Sequence, residues 1–322
     1  MMEYQTTLTK NTPITITIGN FDGVHLGHQR LLHQVQTMAH ELGQECKPAI
    51  VTFTPHTLLV IRPQADISYL TTLDEKLTLA KQYGHIADSI VVKFTPEVAA
   101  LSAEDFMDQL CSHFTVKGLV VGSDFSLGHN RMGNTEFLLD YGKRHQIRVE
   151  AISLEESDQI RISSTRIRTL VSEGEIAEAN ALLGHPVVLG GIVEHGEERG
   201  RLLGFPTANL RPDPHKLLPA NGVYVVRVSI QDGKQSDLDE ISTVYNGVAN
   251  IGVRPTFNRK ERLVEVHLFN ADLNLYDKYL RIDVIEHLRG EQRFPNIEAL
   301  KTQIALDAQQ AQQILAIRRG SH

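Results

Sequence analysis

GNFDGVHLGHQRLL, residues 19–32, sets three glycines and two histidines directly after the alternating run ITITI of residues 14–18. Ile14, Ile16 and Ile18 repeat with period two, as in a strand. Leu31, Leu32, Val35, Ala39 and Leu42 then fall on one face of a helix stopped at Gly43. Glycines 19, 23 and 27 let the backbone turn sharply and approach a ligand closely. The helix start offers free backbone N–H groups and the positive end of a dipole, which favour an anion. His25 and His28, flanking Leu26 and Gly27, are expected to face one spot, where imidazole N–H groups can hold the α- and β-phosphate oxygens of a nucleotide. Gly19, Phe21 and Gly27 would frame that phosphate site. Taken alone, the stretch reads equally well as a tight turn with capping or solvated histidines. Neither a Walker loop nor a GxGxxG fingerprint occurs in the chain.

Outward from this turn, residues 13–152 alternate strands with amphipathic helices. Strand-like runs recur at 49–53, 90–94, 119–122 and 147–152, and Ser102 with Asp105 predicts a capping box at the head of a helix over 102–114. That alternation predicts right-handed crossovers and a buried parallel sheet. Two short helices, 165–173 and 175–183, close this half. Beyond LLGHP (182–186) strands follow one another without helices, at 187–194, 223–230, 243–251, 263–269 and 280–287, as in an antiparallel barrel. A polar helix is expected from about 296 to 317. The reading is α/β plus all-β, with a boundary that divides 1–184 from 185–322.

A chain of 322 residues with net charge −7, 41% hydrophobic and 22% charged residues suits about two globular domains. No basic run tracks a phosphate backbone, which argues against nucleic acid as the main ligand. No apolar segment approaches the ~18 residues that cross a bilayer, so no membrane partner is expected. Cys46 and Cys111 are the only cysteines and form no CxxC pair, which predicts neither a disulfide framework nor a structural zinc site. The compartment reads as cytoplasmic, and the expected assembly is a monomer or weak homo-oligomer.

A second element, ISSTRIR (162–168), also opens a helix after a strand of the first half. Ser163, Ser164 and Thr165 can cap that helix or bind phosphate oxygens. Arg166 and Arg168 can supply bidentate charge to a leaving pyrophosphate, or stand as surface residues. In the second half, GEERGRLLGFPTANL (196–210) carries Gly196, Gly200 and Gly204, suited to a flap over phosphates. Thr207 and Asn209, two apart, would point the same way and offer hard oxygen ligands. By spacing alone a Pro-Thr turn explains them. In RLVEVHLFN (262–270), Val264, Val266 and Leu268 share one face, and Glu265 and His267 the other.

GNFDGVHLGH with ISSTRIR resembles the adenylyltransferase half of the bacterial bifunctional riboflavin kinase/FAD synthetase family, within the HxGH nucleotidylyltransferases. TFTPH (52–56), FTPEVAALSAEDF (94–106) and VVGSDFSLGHNRMG (120–133) are similar to that family too. GFPTAN, PANGVYVVRV (219–228), NGVANIGVRPTF (246–257) and the EVHL of 265–268 resemble its riboflavin kinase domain, a six-stranded antiparallel barrel. The resemblance spans about residues 12–312. It implies a Rossmann-like N-terminal domain, ATP and Mg²⁺ at two sites, and conversion of riboflavin to FMN and of FMN to FAD. It further implies that His25 and His28 stabilise ATP phosphates, and that Ser164, Thr165 and Arg168 contact the triphosphate. Asp124 would line the nucleotide or flavin pocket. Thr207 and Asn209 would hold Mg-nucleotide, Arg201 would sit beside the phosphates, and Glu265 would be the general base. Phe53 and Phe125 are candidates for stacking on the flavin. One departure is Asp277, where the family carries glycine after Leu-Tyr.

The chemistry agrees with the residues each half carries. FMN attacks with a phosphate oxygen already ionised at pH 7, which needs alignment and charge neutralisation but no base. Riboflavin attacks with a neutral hydroxyl, which benefits from a carboxylate that takes its proton. A different HxGH nucleotidylyltransferase with an accessory barrel, or a non-catalytic flavin-binding protein, are the alternatives. GFPTAN with Glu265 speaks against the first, and the intact histidines and glutamate against the second.

Overall fold

A computed structural model of the chain describes residues 2–9, 11–64, 67–153, 162–195, 205–231, 243–255, 260–271 and 273–317. Two compact units emerge: Met1–Tyr69 with Lys76–Ser164, and Leu70–Glu75 with Thr165–His322.

The first unit is built on a six-stranded sheet in the order β1-β4-β3-β2-β5-β6. Its strands are β1 (Tyr4–Thr6), β2 (Pro13–Ile18), β3 (Lys47–Thr54), β4 (Asp88–Lys93), β5 (Thr115–Gly122) and β6 (Arg148–Ile152). From β2 onward the pairing is parallel. The exception to the expected parallel sheet is β1, a polar three-residue edge strand antiparallel to β4, too short to show a period. Ile14, Ile16, Ala49, Val51, Ile90, Val92, Leu119 and Val121 point to one side of the sheet, and Phe106, Met107, Leu110, Leu138 and Tyr141 complete that core. Each such large apolar side chain contributes about 1.5–3 kcal/mol on burial.

The helices of this unit are α1 (Leu26–Leu42), α2 (Thr57–Ile61), α3 (Leu73–Gly84), α4 (Pro96–Ala99), α5 (Ala103–His113) and α6 (Thr135–His145). Ser102 caps α5 as predicted: its Oγ accepts from Asp105 N–H at 3.0 Å. Met38 completes the buried face of α1, whereas Leu42, in its last turn, is 38% exposed. Gly43 ends that helix at φ +124°, where a side chain would be strained. The chain lays β3 and β4 to one side of β2 and then returns to place β5 on the other. The order of strands therefore reverses at β2, and the crevice beyond the carboxyl ends of β2 and β5 is where open α/β sheets bind ligands.

The second unit holds α7 (Ser164–Glu173, whose first residue belongs to the first unit), α8 (Ile176–Leu183) and a closed barrel ordered β10-β11-β8-β7-β12-β9. Its strands are β7 (Val187–Glu194), β8 (Ala208–Leu210), β9 (Gly222–Gln231), β10 (Val244–Pro255), β11 (Lys260–Leu268) and β12 (Tyr279–Gly290). Ala208, Leu210, Tyr224, Val226, Val228, Ile251, Val264, Val266, Leu280 and Ile282 are buried along one parity of the ladders and fill the interior. The other parity faces outward. There α9 (Ile297–Ile317) covers Val223, Val225 and Val248 with Ala311 and Leu315, and Arg289 clasps Asp307 at 2.7 Å. Asn180 of α8 ties that helix to the barrel, donating to Val284 O at 3.0 Å and accepting from Val187 N–H at 2.8 Å.

Leu70–Glu75 joins this unit through Lys216. Its ammonium lies 2.6 Å from Glu75 Oε2, with both side chains 1% exposed, and it also donates to Leu70 O. Glu75 simultaneously accepts from Thr72 N–H while donating its own N–H to Thr72 Oγ1, a capping box at the head of α3.

Candidate active sites

The turn Gly19–His25 leaves β2 at the point of strand reversal. Phe21, Gly23 and Val24 sit at φ +48°, +85° and +41°. For Phe21 and β-branched Val24 this is strained backbone, held in place because both side chains are buried. The turn brings His25 to the N-cap of α1, where its Nδ1 accepts from His28 N–H at 3.3 Å. The proton of neutral His25 is thereby left on Nε2. The two imidazoles stack, with centroids 3.7 Å apart and planes 17° apart, and Phe21 meets His28 edge-on at 5.2 Å. Gly27 permits the approach, since a Cβ there would stand 3.2 Å from His25 Cε1. Gly19 likewise leaves room for the Phe21 ring, 3.2 Å from where its Cβ would be. Burial, then His25, then the Lys76 ammonium hold His28 well below the usual imidazole value, so it is neutral at physiological pH. Its Nδ1 is buried with no hydrogen-bond partner among the described residues.

One of the predicted residues is fastened directly to this turn. Ser164, first residue of α7, donates its hydroxyl to Asp22 O at 2.9 Å and so anchors the SST segment on the turn. Ser163 is half-buried and Thr165 exposed beside it. Arg168 is half-buried four residues past Ser164, on the same helical face. Arg166 is instead engaged with Glu178 of α8 at 2.7 Å, on the partly exposed surface. Asp124 is exposed just past the carboxyl end of β5, the strand next to β2. Phe53 and Phe125 are packed against the sheet core, Phe53 edge-on to Phe94 at 5.3 Å.

In the barrel, the second set falls on one outward-facing row. Asn209 of β8 stands opposite Glu265 of β11, and Glu265 stands opposite Asn250 of β10, whose Nδ2 donates to Glu265 Oε2 at 3.4 Å. Glu194 of β7 pairs with Asn209 on its other side. Directly opposed residues in antiparallel ladders hold their Cβ atoms ~5 Å apart on the same face, so carboxylates and amides alternate across four strands. Thr207 is exposed immediately before β8. His267 fixes this segment: its Nδ1–H donates to Pro206 O at 2.9 Å, and its ring meets Phe205 edge-on at 5.5 Å. Gly200 and Arg201 lie outside the described residues. The hydroxyl, amide and carboxylate oxygens gathered here are hard donors, a set that fits Mg²⁺.

With both constellations placed, the likeness to known proteins follows their division. A family model for FAD synthetase matches residues 7–166, and one for riboflavin kinase matches 183–315. A bifunctional riboflavin kinase/FMN adenylyltransferase of Buchnera aphidicola from Acyrthosiphon pisum is 37% identical over 303 residues, 92% of each chain. The Bacillus subtilis protein of the same description is 36% identical over 302 residues, 92% of this chain and 90% of its own. The Escherichia coli K12 one is 35% identical over 305 residues, 94% and 93%. The chain belongs to the bifunctional riboflavin kinase/FMN adenylyltransferase family. It phosphorylates riboflavin to FMN and adenylylates FMN to FAD, with ATP as the second substrate. A solved Streptococcus pneumoniae structure named a macrolide-efflux protein superposes with TM-score 0.79 at 28% identity, covering 93% of both chains. No helix among the described residues is long and apolar enough to cross a membrane.

Within this family framework, sequence reasoning assigned no role to Lys76, Asp22, Asn250 or His267. Lys76 left one detectable trace: with Leu79 and Ala80 it lies on the buried stripe of α3, where an isolated lysine is out of place. Asn250 and His267 acquire meaning only from the pairing of β8, β10 and β11, which joins residues far apart in the chain.

Proposed function

We propose that adenylyl transfer takes place at the His25–His28 turn and phosphoryl transfer at the Glu265 row, in the sequence ranges 1–184 and 185–322. The His25–His28 turn and the Glu265 row lie in different compact units, which supports this reading. The matches to the two family models, which end at 166 and begin at 183, support the same division. In the first reaction an FMN phosphate oxygen forms a bond to the α-phosphorus of ATP, and the bond from that phosphorus to the bridging oxygen breaks, releasing pyrophosphate. His25 Nε2–H, the head of α1 and the hydroxyls of Ser163, Ser164 and Thr165 supply donors to the phosphates, and Arg168 supplies charge to pyrophosphate. Asp124 borders the nucleotide or flavin. The two histidines act here as donors and not as bases, which matches a nucleophile that carries no proton to remove.

In the second reaction the terminal hydroxyl of the ribityl chain attacks the γ-phosphorus of ATP, ADP departs, and Glu265 accepts the hydroxyl proton. Asn209 and Asn250 flank the carboxylate and orient it. Thr207 and Asn209 are the residues that would hold Mg²⁺, which when bound neutralises phosphate charge. Cytoplasmic residence is the proposed setting, in keeping with free cysteines at 46 and 111, and a monomer or weak homo-oligomer the proposed assembly.

Two variants assayed on the intact chain test the assignment. Glu265→Ala is expected to abolish FMN formation from riboflavin and leave FAD formation from supplied FMN unchanged, and His28→Ala to do the reverse. Loss of both activities in either variant, with the fold preserved, overturns the two-site reading.

A further inference from the structure

Lys76 is a buried cation that no role described so far requires. It lies on α3, 3% exposed, and its ammonium makes one hydrogen bond among the described residues, to Thr52 Oγ1 at 3.2 Å. Thr52 ends the buried part of β3 and donates the same hydroxyl to Asn20 O, at 3.4 Å, within the HxGH turn. The charges that act on the pair from that turn are the buried Asp22 carboxylate, which attracts the ammonium, and His28, whose charged form the ammonium repels. An ammonium has three N–H donors, and one is spent on a neutral hydroxyl. Holding an ammonium in such a place is costly: burial lowers its pKa to about 8 despite the pull of Asp22. A side chain kept for packing alone would be better apolar, whereas a site that receives a polyanion gains from a fixed, dehydrated positive charge.

We propose that Lys76 is a phosphate-binding residue of the adenylyl-transfer site, donating to the β- and γ-phosphates of ATP and retaining the pyrophosphate they become. This rests on the assignment of adenylyl transfer to the His25–His28 turn. As the α-phosphorus passes from the bridging oxygen to the FMN oxygen, the electron pair of the broken bond stays with pyrophosphate. Lys76 meets the added negative charge with N–H donors already oriented and keeps its proton throughout. His28, held neutral beside it, contributes no competing charge.

The test uses the full chain with Lys76→Met and Lys76→Arg, assayed in both directions of the second reaction. Riboflavin kinase activity of the same preparations reports on folding elsewhere in the chain. Lys76→Met is expected to raise the KM for pyrophosphate in FAD pyrophosphorolysis, and to lower kcat/KM for ATP, by about tenfold or more, as loss of a charged hydrogen bond does. Kinase activity should be retained, and the melting temperature unchanged or higher. Lys76→Arg, which keeps the charge, should bind pyrophosphate better than Lys76→Met. Unchanged KM values for ATP and pyrophosphate in Lys76→Met overturn the proposal. So does Lys76→Arg impaired as much as Lys76→Met, which marks a packing role. If Lys76→Met does not fold, Lys76→Gln and pyrophosphate titration calorimetry replace it, with undiminished affinity again overturning the proposal. His28→Ala separates the two levels: its failure to affect FAD formation removes the assignment of the turn itself, whereas its success with an inert Lys76 removes only the lysine.

Discussion

Asn209 and Glu265 face each other across the β8–β11 ladder, so a carboxylate and an amide leave the barrel side by side on its outer surface. The pair lies on a wall and not in the barrel lumen, which Val264, Val266 and their neighbours fill. A one-residue slip of β11 would turn Glu265 inward and expose Val264 and Val266. The same alternation that packs the barrel therefore presents the pair proposed for phosphoryl transfer on the outer wall.

Glu265→Gln preserves shape and the contact with Asn250 but removes the proton acceptor. FMN formation should fall by about 10²–10⁴-fold, with the KM for riboflavin little changed and FAD formation intact. Asn209→Ala should instead raise the Mg²⁺ concentration needed for half-maximal kinase rate. Titrating Mg²⁺ at fixed ATP separates the two effects.

His267 holds the segment before β8 through Pro206 O, which places it one residue from Thr207. Loss of one such hydrogen bond costs about 1 kcal/mol. His267→Phe keeps an aromatic ring against Phe205 and deletes the donor. Its kinase kcat should drop several-fold while the melting temperature stays within a few degrees, and adenylyl transfer should be untouched. A large loss of stability with unchanged kcat would contradict this positioning role.

Two buried bases give the stability a defined pH dependence. His28 stays unprotonated in the folded chain below its ordinary value of 6.5, whereas the unfolded chain takes up that proton. The unfolded state then binds more protons, so stability falls as pH drops below 6.5. Lys76 acts likewise at the alkaline end: between about 8 and its ordinary 10.5 only the unfolded chain keeps the proton, and stability rises with pH across that window. Urea midpoints compared at about pH 5, 7 and 9 should show both slopes. His28→Gln should flatten the acid one and Lys76→Met the alkaline one.

Much of this was legible because it is local. ITITI, the glycine spacing and the capping Ser102 each specify structure within a few residues, and the histidine pair is set by one helix turn. The barrel strands were legible for the same reason, through the alternation of Val264, Val266 and Leu268. What escaped depends on distant partners. β1 has no period of its own and exists by pairing with β4. The engagement of Arg166 with Glu178 required the packing of α7 on α8. Asp277, out of place against the family's glycine, adopts φ +64°, a conformation aspartate tolerates because its short side chain can hydrogen-bond locally.

The buried Lys216–Glu75 pair carries a consequence for how the gene could be divided. Glu75 caps the helix on which the next residue, Lys76, begins the return to the sheet unit, yet its counter-ion comes from beyond residue 184. A fragment ending at 184 would keep Glu75 and its cap on α3 but lose the cation that pairs with it. The complementary fragment would keep a lysine that had lost its partner. The two activities are consecutive in sequence but not modular in it: six residues of the first half are structurally on loan to the second, and recombination at the linker would have to replace both ends of that ion pair together.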